Sequence, residues 1–179
     1  MPFPIGHTAI GLATFETAQS SPARGSRLAS VIFITLLANL PDLDVLFGLI
    51  FHGNGAAFHR GPTHSLLFAI IAGYGASHMW RLWRRIPKVG FGLCSLLIFS
   101  HVVADMFLTT APVSLFWPLE IYWFPGHSSW GQVMDMVLFQ SFQDAGIAVA
   151  ALLYVSILRL VRSSVRGHSL FAFARKLVR

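Results

Sequence analysis

Four apolar runs divide the chain, at residues 28–51, 65–80, 89–108 and 133–158. Each approaches or exceeds the roughly 20 residues that carry a helix across a bilayer, so each is predicted to cross one. Residues 5–19, IGHTAIGLATFETAQ, predict a shorter helix with His7 and Gly11 on one face and Ile10 and Thr14 beside it. That segment is too short and too polar for a confident span. Residues 20–27 read as a loop with Pro, Gly and two arginines. Pro41 should kink or break the first run. Residues 52–63 form a Gly-rich loop, and residues 109–132, rich in Trp, Phe and Pro, are expected to lie along the membrane interface. The predicted fold class is all-α: a polytopic membrane bundle of about four spans plus a short N-terminal helix. It forms a single domain over 1–179, with 159–179 a basic tail.

Composition strengthens that picture. Hydrophobic residues are 55% of the chain and charged residues 11%, against about 25% charged in a soluble domain. Too few charges remain to cover a water-facing surface, so the chain reads as an integral membrane protein. The single cysteine, Cys94, stands in an apolar run and excludes an intramolecular disulfide or a Cys-rich zinc site. The N-terminus lacks the pattern of a cleaved signal peptide.

The net charge of +6 does not point to nucleic acid, because the basic residues cluster beside the apolar runs. The clusters fall at 24–27, 81–88 and 159–179, all on one face if the four runs cross in turn. Lysine and arginine in short loops mark the cytoplasmic side. The loops 52–63 and 109–132 hold one basic residue, Arg60, and should face outward.

Against this background the ionisable residues inside the apolar runs are conspicuous. Of seven acidic residues, Asp42 and Asp44 open the stretch that ends with His59 and His64 around Arg60-Gly61-Pro62-Thr63. A buried carboxylate costs several kcal/mol or more unless paired or bound to a cation. Asp42 has a plain alternative as a helix cap after Pro41, which leaves Asp44 unexplained, and His59 an alternative as an ordinary loop histidine. Thr63 is a candidate N-cap for the helix that follows. His101 and Asp105 stand four residues apart, on one helix face. They fit two ligands of a metal, or a hydrogen-bonded core pair. His7 joins them only if its helix enters the membrane. His52, His78, His127 and His168 are weaker ligand candidates, and His127 with Glu120 is placed to touch substrate. Asp135 and Asp144 suit the start of the last helix through its dipole.

The charge bias and the positions of these residues agree, for both put the cluster toward the outer end of the bundle. A divalent metal is the simplest partner that Asp and neutral His share. Imidazoles and carboxylates without thiolate fit zinc best, with manganese or iron as alternatives. The number of candidates exceeds the demand of one tetrahedral zinc and predicts more than one ion. Such sites cleave phosphoesters through a metal-bound hydroxide. Asp44 is the candidate base or orienting carboxylate, and the Arg60 guanidinium suits either an anionic oxygen such as phosphate or, equally, a carboxylate partner.

Five pieces, GHTAIG at 6–11, PDLD at 41–44, HRGPTHS at 59–65, HVVAD at 101–105 and LFWPL at 115–119, together resemble the YdjM family. Members are described as inner-membrane, metal-dependent hydrolases whose ligand pattern is similar to the helical zinc-dependent phospholipase C and P1 nuclease group. The resemblance implies metal ligation by His7, Asp42, His59, His64, His101 and Asp105, with Asp44 a ligand or a base. It departs from the family where Pro118-Leu119-Glu120 replaces a Pro-Phe-Ser continuation. The reading is therefore a hydrolase of the bacterial inner membrane acting on a lipid phosphoester, with membrane lipid as its partner. The rival from another class is a metal-binding sensor or transporter. Transport is disfavoured because the inner halves of the runs lack ionisable residues. A structural protein whose polar residues join helices is the weakest reading.

Overall fold

The computed structural model describes residues 4–19, 26–108, 112–119, 121–122 and 142–177. Among these residues the chain is all-helical: α1 (Pro4–Ala18), α2 (Arg27–Ala38), α3 (Leu43–His52), α4 (Leu66–Leu82), α5 (Phe91–Leu108) and α6 (Gln143–Leu177). A 3-10 turn over Pro62–His64 precedes α4.

The first apolar run breaks where Pro41 predicts. Without an N–H, and with a ring that crowds the preceding turn, proline cannot continue α2. Helix α3 leaves at 55° to it. Asn39 closes α2, and its side-chain amide donates to the Thr35 carbonyl (2.8 Å) and to Thr8 Oγ1 (3.0 Å), tying the break to α1. Helix α3 ends at Gly53, whose φ of 64° is the left-handed conformation that glycine adopts at little cost.

Helix α5 is the central element. It packs against α1, α2 and α4, and Cys94, Leu97, Ile98 and Val102 along it are fully buried. Lipid tails are as apolar as leucine, so helices in a bilayer associate through close packing rather than hydrophobic expulsion. Small residues permit that here. A Cβ on Gly11 of α1 would come within 2.6 Å of Ala38 Cβ on α2, and one on Gly73 of α4 within 2.7 Å of the Ser95 backbone on α5.

Helix α6 lies along α1. Near one end, Asp144 accepts from the Gly6 N–H (3.1 Å). Toward the other, Arg159 pairs with Glu16 (2.9 Å), and Arg162 donates to the Glu16 and Thr17 carbonyls (2.7 and 3.0 Å). The outward flank of α6 stays bare, with Leu152, Leu153, Ile157 and Leu160 all at least 60% exposed. In water such a stripe would drive aggregation. Against lipid it is an ordinary surface.

By length and composition, α5 and residues Asp144–Val165 are candidate spans, and the bent pair α2–α3 makes a third if it counts as one. Helix α4 has 17 residues, at the lower limit for a crossing. Residues 133–141 of the expected fourth run lie outside the described residues. The final helix continues through Leu177, so the expected tail begins as helix, and its first arginines serve α1. A further difference concerns the cap of α4. Ser65, not Thr63, holds it, accepting from the Phe68 N–H at 3.1 Å.

The α4–α5 contact gives a stability test. Gly73→Ala forces the helices apart and should cost about 1–3 kcal/mol. Thermal unfolding in detergent should fall relative to Gly75→Ala, where a Cβ meets nothing within 4 Å. Equal midpoints would show that the close contact carries no weight.

Candidate metal centre

Four structural features bring the ionisable residues together. The break after α2 turns Asp42 and Asp44 inward, the loop ending in the 3-10 turn supplies His59, Arg60 and His64, and α5 supplies His101 and Asp105 on one face. Helix α1 adds His7 from the side, its ring stacked on His101 with centroids 3.6 Å apart. All eight residues singled out from the sequence meet in one cluster. His7, His64, His101 and Asp105 are at most 1% exposed and Asp44 3%. The side chains of Asp42, His59 and Arg60 keep 12–17% of their surface, so they form the open edge.

At the heart of the cluster, His101 Nδ1 lies 2.7 Å from the Ala38 carbonyl. A carbonyl only accepts, so Nδ1 carries the proton and Nε2 a lone pair. That Nε2 lies 3.3 Å from His64 Nε2 and 3.3 Å from Asp42 Oδ1, while His64 Nε2 and Asp42 Oδ1 are 3.6 Å apart. Ligand atoms about 2.0–2.1 Å from a tetrahedral zinc stand about 3.3 Å from one another. The triangle has that size. Asp105 Oδ2 is a further 3.6 Å from His64 Nε2, and Asp105 Oδ1 is 3.4 Å from His7 Nε2.

Asp42 begins α3, yet its side chain makes no capping hydrogen bond. The capping alternative therefore does not hold it, and its Oδ1 is buried without a hydrogen-bond partner among the described residues. The same is true of both ring nitrogens of His7. Buried polar atoms normally find partners, so this set fits a site for a cation.

Charge gives the same answer. Three carboxylates and the Arg60 guanidinium leave two negative charges when the histidines are neutral. His64 responds to that surplus: burial opposes its imidazolium, but Asp42 and Asp44 outweigh the burial and raise its pKa to about 8. One divalent cation would balance the cluster.

Arg60 is fixed at the edge by its own backbone. Its φ of 65° is rare for a residue other than glycine. This turn lets its N–H donate to Asp44 Oδ2 (3.3 Å) while its carbonyl accepts from the Ser114 N–H (3.2 Å). Its Nε donates to Asp105 Oδ2 at 3.3 Å. Strain of this kind persists where surrounding contacts hold it, often at functional sites.

Three groups of residues are spaced to hold an ion: His7, His101 and Asp105; Asp42, His64 and His101; and Asp44, His59 and His64. They share two histidines. His101 has only Nε2 to offer, and a neutral His64 offers one nitrogen, so at most two groups fill together.

Other sequence candidates lie elsewhere. His52 packs edge-on against Phe58, and His78 against Tyr74 and Ser77. Glu120, His127 and Asp135 fall outside the described residues, as does the side chain of His168. Sequence reasoning missed the Thr63 hydroxyl, which donates to Asp44 Oδ2 at 2.6 Å, and the Ala38 carbonyl. Thr63 stands inside the motif, whereas nothing in the sequence marks a backbone carbonyl.

No curated protein and no solved structure matches the chain. A family model does, that of the YdjM inner membrane protein, over residues 1–169. The match spans every residue of the cluster, and the chain belongs to the YdjM family.

Proposed function

We propose that the protein is a membrane-embedded, metal-dependent hydrolase that cleaves a lipid-type phosphoester. The observation that carries this reading is the triangle of Asp42 Oδ1, His64 Nε2 and His101 Nε2, with Arg60 beside it at the open edge. A divalent cation held there, zinc or else manganese or iron, would supply hydroxide near neutral pH by lowering the pKa of a bound water to about 7.

The chain's own residues do the rest. His101, oriented by Ala38, and His64 present lone pairs, and Asp42 brings negative charge. Arg60 offers a planar, permanently charged guanidinium suited to phosphate oxygens. Buried His7 and Asp105 close the inner side, so substrate would enter past Asp42, His59 and Arg60. Exposed Leu46, Phe47, Ile50 and Phe51 on α3 would keep that entrance against acyl chains, which supports a lipid rather than a soluble phosphoester.

For topology we propose four crossings, with the basic clusters at 24–27, 81–88 and 159–179 in the cytoplasm and the metal centre toward the outer leaflet of the bacterial inner membrane. The rival is a sensor that binds the same ion without hydrolysis.

Detergent-purified protein should contain zinc or manganese by elemental analysis, and a His101→Ala/Asp105→Ala variant should lose it. The loaded protein should then release products from phospholipid vesicles. Metal without hydrolysis of any lipid offered favours sensing. A folded chain that takes up no metal, even when zinc and manganese are supplied, contradicts both.

Orientation has its own test. In a Cys94→Ser background, a membrane-impermeant maleimide should label Ala57→Cys in spheroplasts with an intact inner membrane, and label Leu82→Cys only after lysis. The opposite pattern would invert the topology.

A further inference from the structure

The sequence leaves Asp44 as ligand, base or orienting carboxylate, and its hydrogen bonds favour the last. Its Oδ1 lies 3.1 Å from His59 Nδ1. Its Oδ2 accepts the Thr63 hydroxyl at 2.6 Å and the Arg60 N–H at 3.3 Å, and lies 3.2 Å from His64 Nδ1. A carboxylate surrounded by that many donors is a weak base. Both oxygens are already engaged with groups outside the triangle.

We propose that Asp44 is the positioning carboxylate of the centre, outside the ligand set, and that it selects the ring nitrogen which His64 and His59 present. This rests on the metal-centre reading above. An ionised carboxylate only accepts, so His64 Nδ1 must carry a proton when it faces Asp44 Oδ2. The other tautomer would set an imidazole lone pair against a carboxylate in a buried site. It would also turn His64 Nε2–H toward His101 and satisfy that nitrogen without any ion. Asp44 excludes this closed pairing and keeps two lone pairs aimed at one point.

His59 follows the same logic. Its Nδ1–H donates to Asp44, and its Nε2 is buried with no hydrogen-bond partner among the described residues. Thr63 and the left-handed Arg60 backbone hold the carboxylate still. A carboxylate behind a metal-binding histidine fixes the tautomer and raises ligand basicity.

Stoichiometry follows. With Nδ1 of His64 protonated, the group of Asp44, His59 and His64 is not a separate ion site. The two remaining groups compete for His101 Nε2. The centre therefore holds one ion per chain, fewer than the count of candidate ligands predicts from the sequence.

Cobalt(II) titration of the full chain in detergent tests this, with visible absorption as the readout. The unaltered chain should bind one cobalt. Asp44→Asn should still bind one, with the ligand-field bands unchanged in position and intensity but the affinity about 10- to 100-fold weaker, as for other lost outer-shell partners. Bands that shift or weaken in Asp44→Asn mark Asp44 as a ligand and overturn the proposal. So does an unchanged affinity, or a second cobalt that only Asp44→Asn loses. If Asp44→Asn fails to fold by circular dichroism, Thr63→Val replaces it, with a weakening in the same direction expected and none contradicting. An unaltered chain that binds no cobalt removes the metal-centre reading and this proposal together.

Discussion

Three carboxylates, Asp44 and Asp105 buried and Asp42 partly so, sit in an apolar helical bundle with one guanidinium to meet them. That imbalance is the constraint on which the rest of the structure depends. Isolated charges in such surroundings cost several kcal/mol each unless they are paired. Here they converge within a few ångströms and face histidine nitrogens rather than lysines. Neutral imidazoles cannot cancel the charge, but they can share a cation with the carboxylates. The proposed chemistry grows out of that need.

Much of the fold serves to bring the donors together. Pro41 ends α2 and turns two aspartates inward, while the small residues Gly11 and Gly73 let α1 and α4 approach their neighbours closely enough to seal the site. Helix α6 contributes no donor to the centre among the described residues, yet it braces α1 through Asp144 near one end and Arg162 toward the other. Since α1 carries His7, this lipid-facing helix acts on the site through placement alone. The first two arginines after the last apolar run, Arg159 and Arg162, thus have a structural use.

The sequence exposed the cluster because ionisable residues in apolar runs stand out, and because four-residue spacing in a helix means one face. His101 and Asp105 were legible that way, as was the break at Pro41. His7 was less so: its place depends on how α1 packs, which no local pattern encodes. The role of Asp44 was only partly legible. Ligand, base and orienting carboxylate all suit its place in the sequence, and it is the Thr63 hydroxyl and the Arg60 backbone around it that favour the last. Thr63 precedes a helix as a cap does, but Ser65 stands closer to that helix and takes the position. The backbone carbonyl of Ala38, which sets the tautomer of His101, leaves no trace in a sequence. Element ends differ by a residue or two from α1 to α5, whereas the last helix runs to Leu177, well past the expected end at 158.

The central claim is that His64, His101 and Asp42 share one cation. Zinc K-edge absorption of the zinc-loaded protein in detergent tests it most directly. The account predicts a shell of nitrogen and oxygen at about 2.0–2.2 Å, with outer-shell scattering from at least two imidazoles that diminishes when His64 is replaced by alanine. A shell of oxygens alone, or imidazole scattering indifferent to His64, would contradict it.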